Sequence, residues 1–283
     1  MWILLLVAFL ALFAPASHAQ AEWPKPKWEK VEALSCSPST QAPLFTTVGS
    51  YRVKLAPESD DGDILCRAYL IDPAKNEKLL LRDWGVSVHQ GTGEDVFGDG
   101  SPTLVLEAYS GGAHCCYTYE IVSLAEQPVI LRPIRNESPF FFFKDPVSKQ
   151  YRIMTSDGAF DYFDGLCHAC SPFPRVVLKA DHDGLHNVSP QFTEQYDTQI
   201  AAARARIGSD ISKFLQSDFN DARSVVLEIV FSYLYSGRDA EAWETLDQMW
   251  PARDRERIRK LILETRAKGL LSKLKETAPR NVP

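Results

Sequence analysis

The periodicity of the chain changes near Pro190, and no other sequence feature constrains the fold as strongly. Before that point, short runs of β-branched and aromatic residues alternate with Gly, Pro, Asn and Asp, and no run holds a helical period over three turns. Residues 64–71 (ILCRAYLI), 103–109 (TLVLEAY), 116–124 (CYTYEIVSL), 129–134, 151–155 (YRIMT) and 175–179 (RVVLK) read as strands. Past it, the period becomes helical. Residues 193–206 favour a helix, and Asn220 is placed to cap a second one over 221–236, with Val226, Ile229, Val230, Tyr233 and Leu234 on its apolar face. Gly237 sits where a left-handed C-cap belongs. Asp239 then caps a helix carrying Ala242, Trp243, Leu246 and Met249 up to Pro251, and Ile258, Leu261 and Ile262 start a fourth that Leu270, Leu271 and Leu274 continue. The expected class is therefore α+β with the two kinds of structure segregated. A β-rich domain spans 31–190, either a sandwich or a partial propeller-like stack, and an α-helical domain spans 191–283.

The first 19 residues have a separate role. Residues 2–13 (WILLLVAFLALF) are apolar but too short to span a bilayer comfortably, and Ser17-His18-Ala19 forms a small-residue cleavage box. They read as a signal peptide, although no Lys or Arg precedes the apolar stretch; an uncleaved anchor is the alternative. The Pro- and charge-rich residues 20–30 read as a linker. The mature chain is then secreted or periplasmic, with no membrane span once the signal is removed. All six cysteines follow the leader, an arrangement that suits disulfides in an oxidising compartment. If Cys115 and Cys116 lie on a strand they point to opposite faces and need different partners. Cys167 and Cys170 are the nearest, which leaves Cys36 with Cys66.

A formal net charge of −6 excludes non-specific nucleic-acid binding, and a hydrophobic content of 45% excludes wholesale disorder. The acidic excess lies in the β-rich part. Residues 252–275 are basic, with Arg253, Arg255, Arg257, Arg259 and Lys260 spread around a helix. A solvated face supported by pairs such as Glu256–Lys260 explains them, and docking onto the acidic β domain is the sharper reading.

The most specific local signal is GEDVFGDGSPTLVLEAYS, residues 93–110, an acidic turn that leads directly into an apolar strand. With the SGGAHCC segment and the strand after it, about residues 93–124, it resembles the calcium loop of FG-GAP or VCBS-type β-propeller repeats. Asp95, Asp99, Gly100 and Leu104 match that pattern. The resemblance implies a calcium loop with Asp95 and Asp99 as metal ligands. Phe97 and Thr103 stand where the family offers oxygen ligands, and calcium prefers six to eight of them. DDGD at 60–63, Asp157-Gly158, Asp164-Gly165 and DHDG at 181–184 echo the turn, but Asp beside Gly also serves any tight turn. Too few residues are present for a closed propeller. In the helical part, residues 221–251 resemble a single tetratricopeptide-type hairpin, which cannot be stable alone.

Other groupings suggest chemistry. Cys167-His168-Ala169-Cys170 has the spacing of a thiol–disulfide redox motif, but Pro172 and Pro174 oppose the helix such motifs open. His114, Cys115, Cys116, Cys167, His168 and Cys170 contain enough ligands for zinc, against which disulfide formation competes. Ser110 and His114 beside two glycines invite a hydrolase, without a nucleophile elbow or a third partner. Tyr117, Tyr119, Phe160, Tyr162 and Phe163 suit either sugar stacking or a core. Four consecutive phenylalanines, 140–143, require burial on both faces of a strand or a contact surface. The expected function is an exported, non-catalytic binding or scaffold protein of the cell envelope with a protein or glycan ligand. A secreted or periplasmic hydrolase using Ser110 and His114 is the alternative.

Overall fold

The computed structural model describes residues 22–24, 34–111, 116–208 and 219–280. The expected signal peptide, most of the linker, His114 and Cys115 lie outside the described residues. Three antiparallel sheets occupy the N-terminal part of the chain and helices the C-terminal part, as expected for a segregated α+β fold. Among the described residues no helix is long and apolar enough to cross a membrane.

The first sheet is a meander of β2 (Leu44–Val48), β3 (Tyr51–Asp60), β4 (Asp63–Ile71) and β5 (Glu77–Asp83). Its long hairpin is closed by Asp61 and Gly62, both at positive φ (48° and 95°), so the DDGD segment is a two-residue turn of the kind that matches strand twist. The second sheet runs β1 (Ser35–Cys36), β6 (Gly85–Val88), β7 (Thr103–Tyr109), β8 (Tyr117–Ser123) and β10 (Ile134–Asn136), and β9 (Val129–Ile130) also pairs with β8. The strand expected over 129–134 is thus two strands. Pro133 has no N–H to donate, and Leu131 pairs instead with Pro279. The third sheet is the meander β11 (Phe141–Lys144), β12 (Tyr151–Ser156), β13 (Arg175–Asp181) and β14 (Gly184–Asn187).

The second sheet is buried on both faces, which is why TLVLEAY reads as an almost unbroken apolar run. Leu104, Leu106, Ala108 and Val122 join a first core with Val53, Leu55 and Ala68 of the first sheet. Val105, Tyr119 and Ile121, from the opposite face, join a second core shared with the third sheet and the helices. Each such Val or Leu contributes roughly 1.5–3 kcal/mol by leaving water.

The helices are α1 (Thr193–Ile207), α2 (Phe219–Tyr235), α3 (Asp239–Met249), α4 (Arg255–Arg266) and the short α5 (Leu270–Lys273). Two expected caps are displaced. Phe219 and Asn220 already belong to α2, so Asn220 does not cap it, and Asp239 is the first residue of α3 rather than its cap. Asp239 accepts a hydrogen bond from Arg266 of α4 at 3.0 Å. Gly237, at φ 82°, does end α2 in the left-handed conformation.

Segregation along the sequence does not produce separate cores, because the second core includes all of α1 to α5 together with two of the sheets. Asp157, fully buried before a one-turn 3-10 helix, ties the parts together. It accepts hydrogen bonds from Tyr235 Oη of α2 (2.6 Å) and from the backbone N–H of Leu270 in α5 (2.9 Å). Gly269 leaves room for it, since a Cβ there would meet the carboxylate at 2.4 Å. Trp23, within the expected linker, also packs here, edge-on to Tyr196 at 4.8 Å. One arginine of the basic helix reaches the β-rich part, and Arg255, Arg259 and Lys260 bond within the helical part. Arg257 reaches Asp164 of the β-rich part at 2.6 Å, and Arg223 of α2 binds the same carboxylate. On the solvent side Lys260 pairs with Glu264 (3.8 Å) rather than with Glu256.

Two disulfides are defined by both partners, Cys36–Cys66 and Cys167–Cys170. The first matches expectation. The second corrects it, because Cys116 is also disulfide-bonded and neither Cys167 nor Cys170 is its partner.

Candidate functional site

The acidic loop before β7 is organised by its own carboxylates. Asp95 Oδ1 accepts hydrogen bonds from the backbone N–H of Gly98 (2.7 Å) and Asp99 (3.0 Å), and Oδ2 accepts one from Gly100 (3.1 Å). Asp99 accepts from Ser101 N–H, from Ser123 Oγ (2.7 Å), and bonds His182 Nε2 (2.7 Å). Partial burial pushes the Asp99 carboxyl up, but the bonds from His182, Ser123 and Ser101 hold it below the usual carboxylate value. The two departures from the calcium-loop pattern are core residues. Phe97 is buried in the second core, and Thr103, fully buried, accepts a hydrogen bond from Val96 N–H through its hydroxyl. Among the described residues no group of three or more His, Cys, Asp or Glu side chains is arranged to hold a metal.

A different site forms where the second sheet, the third sheet and the helices meet. Strand register places Tyr109 opposite Tyr117 and Glu107 opposite Tyr119, so these four side chains share the face of β7 and β8 turned toward the third sheet. Tyr119 is buried, stacked on Phe140 at 4.1 Å. It donates its hydroxyl proton to Glu107 Oε2 (2.6 Å) and accepts from Phe140 N–H (2.9 Å). Burial raises the Glu107 carboxyl above its ordinary value, against the lowering effect of the Tyr119 bond. Burial likewise pushes His89 down to about 4, and its Nε2 lies 3.8 Å from Glu107 Oε2. At neutral pH His89 is therefore an uncharged neighbour.

Outward from this group, Tyr109 and Tyr117 (rings 5.4 Å apart) line an open cleft of about 320 Å³ with Pro139, Glu137, His168 and Phe173. Phe173 also walls a second recess of about 500 Å³ on the other side of the Cys167–Phe173 turn, which Phe141, Met154 and Arg175 line with polar residues of α1 and α2. The two recesses share Phe173 and make an aromatic half and a mixed half of the surface around this turn. The phenylalanine run is distributed as alternation requires. Phe140 is core, Phe142 lies on His89 (5.2 Å), Phe143 meets Phe192 edge-on (6.0 Å), and Phe141 faces the mixed half.

The redox-spaced cysteines lie in the Cys167–Phe173 turn. Residues 168–170 make a single 3-10 turn, and no α-helix follows, in keeping with Pro172 and Pro174. Cys167 Sγ accepts from Cys170 N–H (3.2 Å), and His168 Nδ1 bonds Asp161 (2.8 Å). With Cys116, Cys167 and Cys170 all in disulfides, the thiolates that zinc needs are absent at these positions. Of the aromatic cluster read from the sequence, Tyr117 belongs to the cleft and Tyr162 is exposed, whereas Tyr119, Phe160 and Phe163 are core. Ser110 is exposed and donates its N–H to Cys116 O, while its expected partner His114 lies outside the described residues.

Sequence reading missed Glu107, His89 and Arg175. Glu107 carried a signal, as an acid inside an apolar strand; the other two are isolated in sequence and gain meaning only from what the fold brings to them. No family model, no curated protein and no solved structure matches the chain.

Proposed function

We propose that this is an exported binding protein of the cell envelope and that the two-part cleft is its ligand site. The observation that carries this reading is the aromatic half. Tyr109, Tyr117 and Phe173 are partly buried aromatics that line the recess, Tyr117 packing against the second core at its inner side. Aromatic faces with a few convergent polar groups are the usual makeup of a small-ligand site. Next to the two tyrosines along the strands, Glu107 and Tyr119 are fixed to each other by a hydrogen bond.

The test is calorimetric titration of the full chain with a panel of uncharged oligosaccharides and peptides, repeated with the Tyr109→Ala/Tyr117→Ala variant. A panel member that binds the parent protein and is weakened at least about tenfold by the double change, with unchanged circular dichroism, supports the reading. Binding that is indifferent to the double change, or a panel without any binder, overturns it.

A further inference from the structure

The mixed half of the cleft contains an arginine, Arg175, that makes no direct ion pair among the described residues. Arg175 opens β13, half-buried, with Nη1 3.6 Å from Met154 Sδ and its guanidinium 5.3 Å from the Trp23 ring. No carboxylate among the described residues lies within ion-pair distance of it. Glu228, across the recess, is already engaged by Arg206 and by Gln199 Nε2 (3.3 Å). Burial pushes the Arg175 guanidinium down, and Tyr196 and the Glu228 carboxylate across the recess offset that only in part. Half-buried arginines are ordinarily paired, because the fixed fork of donors matches a carboxylate.

The recess around it, about 500 Å³, falls within the range of small-molecule sites. Phe141, Met154 and Phe173 give it apolar walls. Two arginines and one glutamate line it, a balance of one positive charge. A single negative charge completes that balance, whereas a dianion would face Glu228.

We propose that this half of the cleft binds a monoanionic amphiphile, its carboxylate held by Arg175 and its apolar body lying against Phe141, Met154 and Phe173. This rests on the binding-protein reading above and names the ligand class for the half that reading leaves open. Trp23, stacked on the guanidinium, is a built-in reporter of occupancy.

Titrations of the full chain with sodium decanoate, decan-1-ol and decyl phosphate test the assignment. Decanoate is expected to bind saturably, to shift the fluorescence that is lost in Trp23→Phe, and to bind at least about tenfold more tightly than decanol or decyl phosphate. Arg175→Gln should weaken decanoate at least about tenfold, with Arg175→Lys in between, because it keeps the charge and loses the fork. Decanoate binding unchanged by Arg175→Gln, decanol or decyl phosphate binding as well as decanoate, or no saturable decanoate binding would each overturn the proposal. Should Arg175→Gln fail to fold, the three-probe comparison on the parent protein decides alone. Tyr109→Ala/Tyr117→Ala leaves decanoate binding in place if the two halves act separately, so this assignment and the aromatic-half reading fail visibly apart.

Discussion

The two faces of the second sheet bury acids on neighbouring strands, and they complete them differently. Toward the first sheet, Glu120 is wholly enclosed, and Arg280 from the C-terminal tail holds both its oxygens at 2.8 Å and the Leu80 carbonyl at 2.9 Å. Toward the third sheet, Glu107 is oriented by Tyr119 but keeps part of its side chain open beside the cleft. One face was closed by the chain itself; the other was left unfinished. A closed polar group fixes the fold, whereas a partly exposed one keeps acceptor capacity for a further partner.

The largest expected difference between the faces concerns their disulfides. Cys36–Cys66 spans 30 residues and joins two buried positions of the first core. Replacing both with Ala should cost about 3–4 kcal/mol in urea unfolding on a loop-entropy model. Cys167–Cys170 spans three residues beside the cleft, and the same replacement should cost about 2 kcal/mol or less. Mild reduction followed by alkylation should label Cys167 and Cys170 before Cys36 and Cys66, because Cys167 is exposed and both others are buried. Equal losses, or earlier labelling of Cys36, would break the contrast.

The two faces should also separate by pH. Burial raises Glu120 to about 7 despite Arg280, so its stabilisation is complete below its ordinary value and is lost as pH rises through about 7. His89, lowered to about 4 by burial, acts in the opposite direction. Its contribution is complete above its ordinary value of 6.5 and is lost as pH falls through about 4. Each limb amounts to at most about 3 kcal/mol. Urea midpoints measured across pH should flatten on the neutral side in Glu120→Gln and on the acid side in His89→Gln. A single variant that flattens both limbs would show the faces to be coupled.

Much of this arrangement was legible in the sequence. The β and helical segments and the failure of a helix after Cys170 follow from local rules, period and proline chemistry, whereas Cys36–Cys66 is reached by an elimination whose premise the Cys167–Cys170 bond overturns. Strands β1, β2, β5, β6, β11 and β14 were missed because they are short or lie at or near a sheet edge, and β3, long and interior, because Pro57 and its charged residues break the apolar pattern. The caps failed at Asn220 and Asp239 because α2 starts earlier and Asp239 serves Arg266 instead. The cleft was illegible for a different reason. Tyr109 and Phe173, or Arg175 and Glu228, are far apart along the chain and meet only once sheets and helices are stacked.

The smallest expected effect concerns the acidic loop, which lies between the faces, since Asp99 reaches both Ser123 of the second sheet and His182 of the third. Two accounts of Asp95 differ in what they require. As a calcium ligand, it would stabilise the protein only when the ion is bound, and the gain would grow with calcium concentration. As the organiser of a turn, it satisfies three backbone N–H groups whatever the ion content. These bonds are solvent-exposed, so Asp95→Ala should cost only about 1–2 kcal/mol, because water replaces part of what is lost. The turn account expects that same loss with 1 mM calcium or with chelator, and an unshifted melting temperature of the parent protein between the two. A melting temperature that rises with calcium in the parent and not in Asp95→Ala would instead make the loop an ion site, despite Phe97 and Thr103 being turned into the core.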